Sequence, residues 1–153
     1  MTMPEHVARL IRERDLCVLA TSRGDLPHAS LMSYAYEPDL AYMYMATPAS
    51  SRKWANLRAN PSMALLIDER EKALSGPRAE ARAVTVGAEL VRVKNEHEKL
   101  RIIHLLVSRH PHLEEFFQTP NIEVIRCRPL WCLLLTGAEK SEFHEVKINR
   151  EIA

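Results

Sequence analysis

A succession of short apolar segments, separated by turn residues and interrupted by one long helical segment, limits what this chain can fold into. LCVLATS at 16–22 is apolar and partly β-branched, and Arg23, Gly24 and Asp25 follow it with turn chemistry, which predicts a strand and a hairpin. A second strand is expected over Pro27–Tyr36, a turn at Glu37, Pro38 and Asp39, and a third strand over Leu40–Thr47. SMALLI at 62–67 has a buried-strand pattern, and DEREKALSGPR at 68–78 reads as a charged loop closed by Gly76 and Pro77. ARAVTVGAELVRV at 81–93 alternates over a long reach, with Val84, Val86, Ala88, Leu90 and Val93 as the inward or interface set. Gly87 in its middle suggests a strand that bends. The segment 122–137 gives one or two strands and 142–148 a last alternating one.

Three helices are expected among these strands. His6–Arg14 spaces Val7, Leu10 and Ile11 for a short helix over one end of the core. A helix of about two turns starts at Ser50 or Ser51, shares Trp54 and Leu57 on a buried face, and stops at Asn60 and Pro61. Asn95–His110 is strongly helical, with a stripe of Leu100, Ile103, Leu106 and Val107, a capping pair of Asn95 and Glu98, and Pro111 as its stop. Mostly consecutive strands with one substantial helix predict a mainly β fold, an antiparallel β-barrel with accessory helices rather than a βαβ sheet.

With 153 residues, 46% of them hydrophobic and 27% charged, residues 1–153 are expected to form a single globular domain. The net charge of +1, from 21 basic and 20 acidic residues, gives no basic stripe, so nucleic acid is not an expected partner. No apolar run reaches the roughly 20 residues a bilayer requires, and the N-terminus lacks the apolar core of a signal peptide. The expectation is therefore no membrane and a cytoplasmic location. Cys17, Cys127 and Cys132 lie in apolar strand-like segments and are expected to be reduced and buried. Met32, Met43, Met45 and Met63 are expected to fill the core.

No glycine-rich nucleotide loop and no nucleophile elbow occurs. His104, His110 and His112 match no helical zinc pair and read as solvated helix-end residues, so no metal site is expected. Ser50, Ser51, Arg52 and Lys53 are more informative. Hydroxyls, cations and a helix N-terminus together can hold a phosphate, because a dianion needs fixed dipoles as well as charge. The alternative is an ordinary solvated helix end, although two cations in a first helical turn run against the helix dipole.

The run ATPASSRKWANLRANP, residues 46–61, resembles the flavin-phosphate segment of the pyridoxamine 5'-phosphate oxidase-like family, the FMN-binding split barrels. Thr47, Ser51, Arg52, Lys53, Asn60 and Pro61 stand at that family's spacing. The resemblance continues through Gly24–His28, Val84–Gly87, His110 with Pro111, and Val124–Arg126. It implies a six-stranded antiparallel split barrel that forms a homodimer with FMN at the subunit interface. Arg52 and Lys53 would bind the 5'-phosphate with the Ser51 hydroxyl, and Thr47 would lie near the phosphate or ribityl chain. The ring would lie along the second strand against Ser30, Leu31, Met32 and Ser33. Arg82 is the implied cation for the reduced ring, and Trp131 an aromatic contact from the second protomer. A small-molecule redox substrate or a nicotinamide donor would be the partner in turnover. The same resemblance admits an FMN carrier without turnover, or the same barrel holding haem or a deazaflavin. His28 begins the second strand where an arginine would be expected, and residues 137–153 lack the family's substrate pattern, so vitamin B6 is not the expected substrate.

Overall fold

The computed structural model describes residues 3–75 and 81–146, the side chains of residues 73–75 excepted. Gly76 and Pro77 of the expected loop, and Lys147 and Ile148 of the expected last strand, lie outside the described residues.

Alternating apolar residues pair into one antiparallel eight-stranded sheet. Its strands are β1 (Leu16–Arg23), β2 (Leu26–Ser33), β3 (Ala35–Tyr36), β4 (Met43–Pro48), β5 (Ser62–Asp68), β6 (Arg82–Leu90), β7 (Ile122–Thr136) and β8 (Lys140–Glu145). The order is β2-β1-β5-β6-β7-β4-β3, with β8 added beside β7. One edge of β7 pairs with β6 over Cys127–Thr136. Its other edge is divided, β4 taking Ile122–Cys127 and β8 taking Trp131–Thr136.

The ends of this order, β2 and β3, are separated in sequence by Tyr34 alone. The expected continuous strand Pro27–Tyr36 is thus two strands, because the chain leaves β1 at Ser33 and joins β4 at Ala35. A sheet whose first and last strands are joined in this way has to curl. Cys17 Sγ of β1 lies 3.8 Å from Met45 Sδ of β4. In a flat sheet three intervening strands would hold them roughly 19 Å apart. Inward residues of β1, β2, β4, β5, β6 and β7, from Leu19 and Met32 to Met63, Val86 and Leu134, meet in one core. These are the six barrel strands the sequence predicts, and β3 and β8 are additions to them. The cysteines are free and buried, and Met32, Met43, Met45 and Met63 fill the core as expected.

Tyr34 is fully buried, and its hydroxyl donates to the Ile11 carbonyl at the end of α1 (Glu5–Glu13). Its own carbonyl accepts from His110 Nε2 at 2.7 Å. His110 is therefore not solvated but buried, because a strand corner leaves a carbonyl that the ladder does not satisfy. Arg109 donates to Tyr36 Oη at 2.9 Å, to the Arg12 carbonyl at 3.1 Å and to the Arg14 carbonyl, and stacks over the Tyr36 ring. A guanidinium thereby caps the last carbonyls of α1.

α2 (Arg52–Ala59) and α4 (Glu96–Arg109) begin as expected, Ser51 accepting from Trp54 N and Asn95 from Glu98 N. α4 covers the outer side of β3, β4 and β7, where Ile102 and Leu106 are the buried residues. Of the expected stripe, Leu106 is buried and Ile103 and Val107 pack against the same cluster, whereas Leu100 is mostly exposed and Ile102 takes its place on the buried face. A 3₁₀ turn (Pro111–Leu113) and α5 (Glu114–Phe117) follow. The third strand starts at Met43 rather than Leu40, because Leu40 turns through a positive φ of 57° and Asp39 Oδ1 accepts from Ala41 N. β6 is shorter than expected, and its register shifts at Gly87/Ala88. Gly87 is required there because a Cβ would overlap the Trp131 indole. No helix among the described residues is long and apolar enough to cross a membrane.

The expected loop after β5 contains a helix, α3 (Arg70–Ser75), organised by a buried carboxylate. Glu69 is 1% exposed and receives Arg82 through Nη2 at 2.8 Å and Nε at 3.1 Å, and Lys72 at 2.9 Å. Arg82, with Lys72 beside it, holds the Glu69 carboxyl down at about 2. An unfolded glutamate titrates near about 4.3. The folded group binds its proton less readily, so its stabilisation is complete above about pH 5 and is lost as pH falls towards 2. Glu69→Gln is expected to cost about 3 kcal/mol at pH 7. Urea denaturation across pH should show a shallower acid limb in the variant, and identical limbs would exclude this role.

Candidate functional site

At the end of the barrel away from Tyr34, α2 bridges the gap between β4 and β1. It begins just beyond β4, where Ser51 N donates to the Pro48 carbonyl at 3.0 Å. It is tied to β1 by Asn56 Nδ2 donating to Thr21 Oγ1 and Asn60 Nδ2 to Ser22 Oγ, each at 3.1 Å. Leu57 is buried and Trp54 packs against the core, as their spacing predicts. Asn60 Oδ1 accepts from Ser62 N at 3.1 Å and turns the chain into β5.

Thr47, Ser51, Arg52 and Lys53 are brought together at the start of α2. Thr47 is 1% exposed and its hydroxyl donates to Ser51 Oγ at 2.8 Å. The same oxygen accepts from Trp54 N at 3.2 Å. With both acceptor positions used, the Ser51 hydroxyl keeps its own proton to donate. The first turn carries no acid, and among the described residues neither Arg52 nor Lys53 has a carboxylate partner. Two unpaired cations, a free hydroxyl donor and a helix N-terminus can together bind a phosphate-sized dianion.

The four expected ring-lining residues alternate across β2. Met32 is in the core and Ser30 lies on that inner side, whereas Leu31 and Ser33 point outward, Leu31 with 67% exposure. No single side-chain surface unites them. What they share is backbone: among the described residues β2 pairs only with β1, so its other edge keeps peptide N–H and C=O groups outside the ladder. Such an edge can read the polar rim of a flat heterocycle.

Thr21 and His28, which the sequence did not single out for the site, join the expected Ser30 beside it. Thr21 faces His28 across the β1–β2 ladder, and His28 Nδ1 and Ser30 Oγ are buried with no hydrogen-bond partner. Unsatisfied buried atoms of this kind require a partner that the described chain does not supply. For Thr21, the signal in the sequence was Asn56, a short polar residue in mid-helix whose amide needs a partner.

Arg82 and Trp131 are not brought to α2. Residues Asp68 and Ala83 are paired at one end of β5–β6, and Ser62, next to the end of α2, with Glu89 at the other, so Arg82 is at the far end of the barrel. Its guanidinium is committed to Glu69. Trp131 lies on the outer face against Gly87, its ring centroid 5.8 Å from that of Phe143.

Comparison with solved structures places this architecture among known ones. A heme binding protein from Mycobacterium smegmatis aligns with a TM-score of 0.78 at 16% identity, over 95% of this chain and 60% of that one. This chain thus spans about three fifths of that protein's length. HutZ, a heme storage protein from Vibrio cholerae, aligns with a TM-score of 0.65 at 18% identity, over 84% and 91% of the two chains. An FAD-binding protein from Mesorhizobium loti gives 0.67 at 17% identity, over 94% and 96%. Identities this low establish the split-barrel fold alone. No curated protein matches the chain. The family model for pyridoxamine 5'-phosphate oxidase matches residues 3–131, from α1 to the middle of β7, and the chain belongs to that family.

Proposed function

We propose that this protein is a cytoplasmic, homodimeric, FMN-dependent oxidoreductase whose substrate is not pyridoxamine phosphate. The carrying observation is the start of α2, where among the described residues Arg52 and Lys53 have no carboxylate partner and Ser51 keeps a proton to donate. These three would hold the 5'-phosphate, with Thr47 fixing the Ser51 hydroxyl. The free edge of β2 at Ser30, Leu31, Met32 and Ser33 would orient the ring, and the unpartnered Ser30 and His28 atoms lie on the adjoining inner face. When bound, FMN supplies one- and two-electron redox chemistry, and the chain supplies position and electrostatics. Arg82 belongs to the Glu69 ion pair within its own protomer, so the positive field for the ring would have to come from elsewhere in the dimer.

A second reading, haem in the same cleft, draws on the two neighbours whose names state heme binding or storage. The absorbance spectrum of the purified protein separates the two. Two visible flavin bands support FMN, a Soret band supports haem, and colourless protein that takes up neither would overturn both. Consumption of NADH or NADPH distinguishes turnover from storage. The double variant Arg52→Ala with Lys53→Ala is expected to weaken FMN binding at least 100-fold, about 3 kcal/mol, with the fold intact. Unchanged affinity by fluorescence titration would remove the phosphate from this helix.

The outer face of the sheet supports dimerisation. Leu16 and Leu31, 49% and 67% exposed, share it with Leu66, Leu135 and Phe143, at 37%, 41% and 58%. An apolar face of this extent is covered in solution by another surface. Leu66→Glu should convert a dimer into a monomer in light scattering and release the cofactor as well. A wild-type monomer that binds FMN would contradict the interface.

A further inference from the structure

α1 and β8 meet at a side-chain cluster that the cofactor reading does not use. β8 pairs with β7 alone, and its alternation sets Glu142 and His144 opposite Leu134 and Cys132, on the core side of the sheet. Phe143 takes the outer side. α1 buries Val7, Leu10 and Ile11 against the core, which leaves His6 on its margin, facing β8. His6 Nε2 lies 2.9 Å from Glu142 Oε2, and His144 Nε2 lies 3.2 Å from the same oxygen. All three potential ligand atoms are within 4.8 Å of one another. The imidazole planes cross at 83° with centroids 6.4 Å apart, so the two nitrogens approach from different directions.

In a tetrahedral zinc site with bonds of about 2.0–2.1 Å, neighbouring ligand atoms stand about 3.3 Å apart. Two of the three separations here are already close to that value, and small side-chain rotations would adjust the third. His6 and Glu142 are each half exposed and His144 is 32% exposed, so an ion can enter and a water can complete the shell. Two imidazoles and one carboxylate favour zinc and its first-row neighbours over calcium or magnesium, which take oxygen ligands.

We propose that His6, Glu142 and His144 form a binding site for a divalent first-row metal ion, Zn²⁺ in the first instance, with water as the fourth ligand. The site joins the first helix to the last described strand. His6 is 136 residues from Glu142, so the three ligands converge only in the folded chain, and the ion stabilises that state by mass action. It lies on different elements from the start of α2, so it stands or falls separately from the flavin reading.

The test uses the untagged, chelator-stripped full chain, with Zn²⁺ followed by calorimetry and Co²⁺ by its visible spectrum. One ion per chain, a dissociation constant of roughly micromolar order and a rise in Tm of about 5 °C are expected. His6→Ala, Glu142→Gln and His144→Ala should each weaken binding at least tenfold, and His6→Ala with His144→Ala should abolish the Co²⁺ bands while circular dichroism is unchanged. The absence of saturable binding to the wild-type chain would overturn the site and leave the three residues as a hydrogen-bonded set. Equal binding by wild type and double variant would also overturn it and place the ion on other histidines.

Discussion

The structure depends on one corner. Tyr34 stands alone between the first and last strands of the sheet order, and this covalent constraint forces the sheet to close. The corner is costly unless its polar atoms are satisfied, since Tyr34 is fully buried and its carbonyl and hydroxyl are out of reach of water. The end of α1 accepts from the hydroxyl, the end of α4 donates to the carbonyl through His110, and Arg109 binds the two helix ends to Tyr36. Both helices are therefore placed by the same requirement that closes the barrel. At the opposite end no such residue joins the strands, and α2 fills the gap between β4 and β1. The candidate site occupies the side that closure leaves open.

Two groups of cations stand in contrasting surroundings. Arg82, Lys72 and Arg14 gather around the carboxylate of Glu69, a buried charge that would be unfavourable without them. That charge is compensated within the described residues. Arg52 and Lys53, at the positive end of α2, have no such compensation among the described residues and sit where the helix dipole disfavours them. Nothing in the described fold requires both there: the cap is made by Ser51, and the anchoring by Asn56, Asn60 and Leu57. A local conflict without a structural benefit is the ground on which the phosphate site is proposed, since local rules are most often broken at functional sites.

Much of this was legible in the sequence because it follows from local rules. The caps at Ser51 and Asn95, the inward set Val84, Val86 and Ala88, and the core methionines all follow from spacing and side-chain chemistry. The division of the second strand at Tyr34 was not legible, because Ser33, Tyr34 and Ala35 continue a strand pattern and only the change of partner breaks it. The buried state of His110 was missed for a related reason, since its acceptor lies 76 residues away. Arg82 was assigned to the flavin by resemblance, yet Glu69, 13 residues earlier and read as part of a loop, claims it. The likeness of DEREKALSGPR to a solvated loop concealed both the short helix and the buried carboxylate. His6 stands in the first expected helix and Glu142 and His144 in the last expected strand, so only the fold shows that they meet.

The outer face of the sheet adds a constraint that no single strand displays. Ala29, Ala20, Ala64 and Gly87 are neighbours across β2, β1, β5 and β6, and Trp131 of β7 completes the row. The next row, Leu31, Val18, Leu66, Thr85 and Leu133, is bulkier, so Ala29, Ala20 and Ala64 form a shallow trough beside a ridge, closed at one end by the Trp131 indole that lies over Gly87. Small residues are disfavoured on a solvated strand, where a β-branched side chain would improve the sheet. They are favoured where another surface must approach closely. A second copy of the chain offers a ridge of the same composition for the trough to receive, and two-fold symmetry would satisfy both surfaces at once. Such packing would also cover Leu31, the outward neighbour of the outer edge of β2, and would put the proposed interface and the proposed cofactor edge on one element.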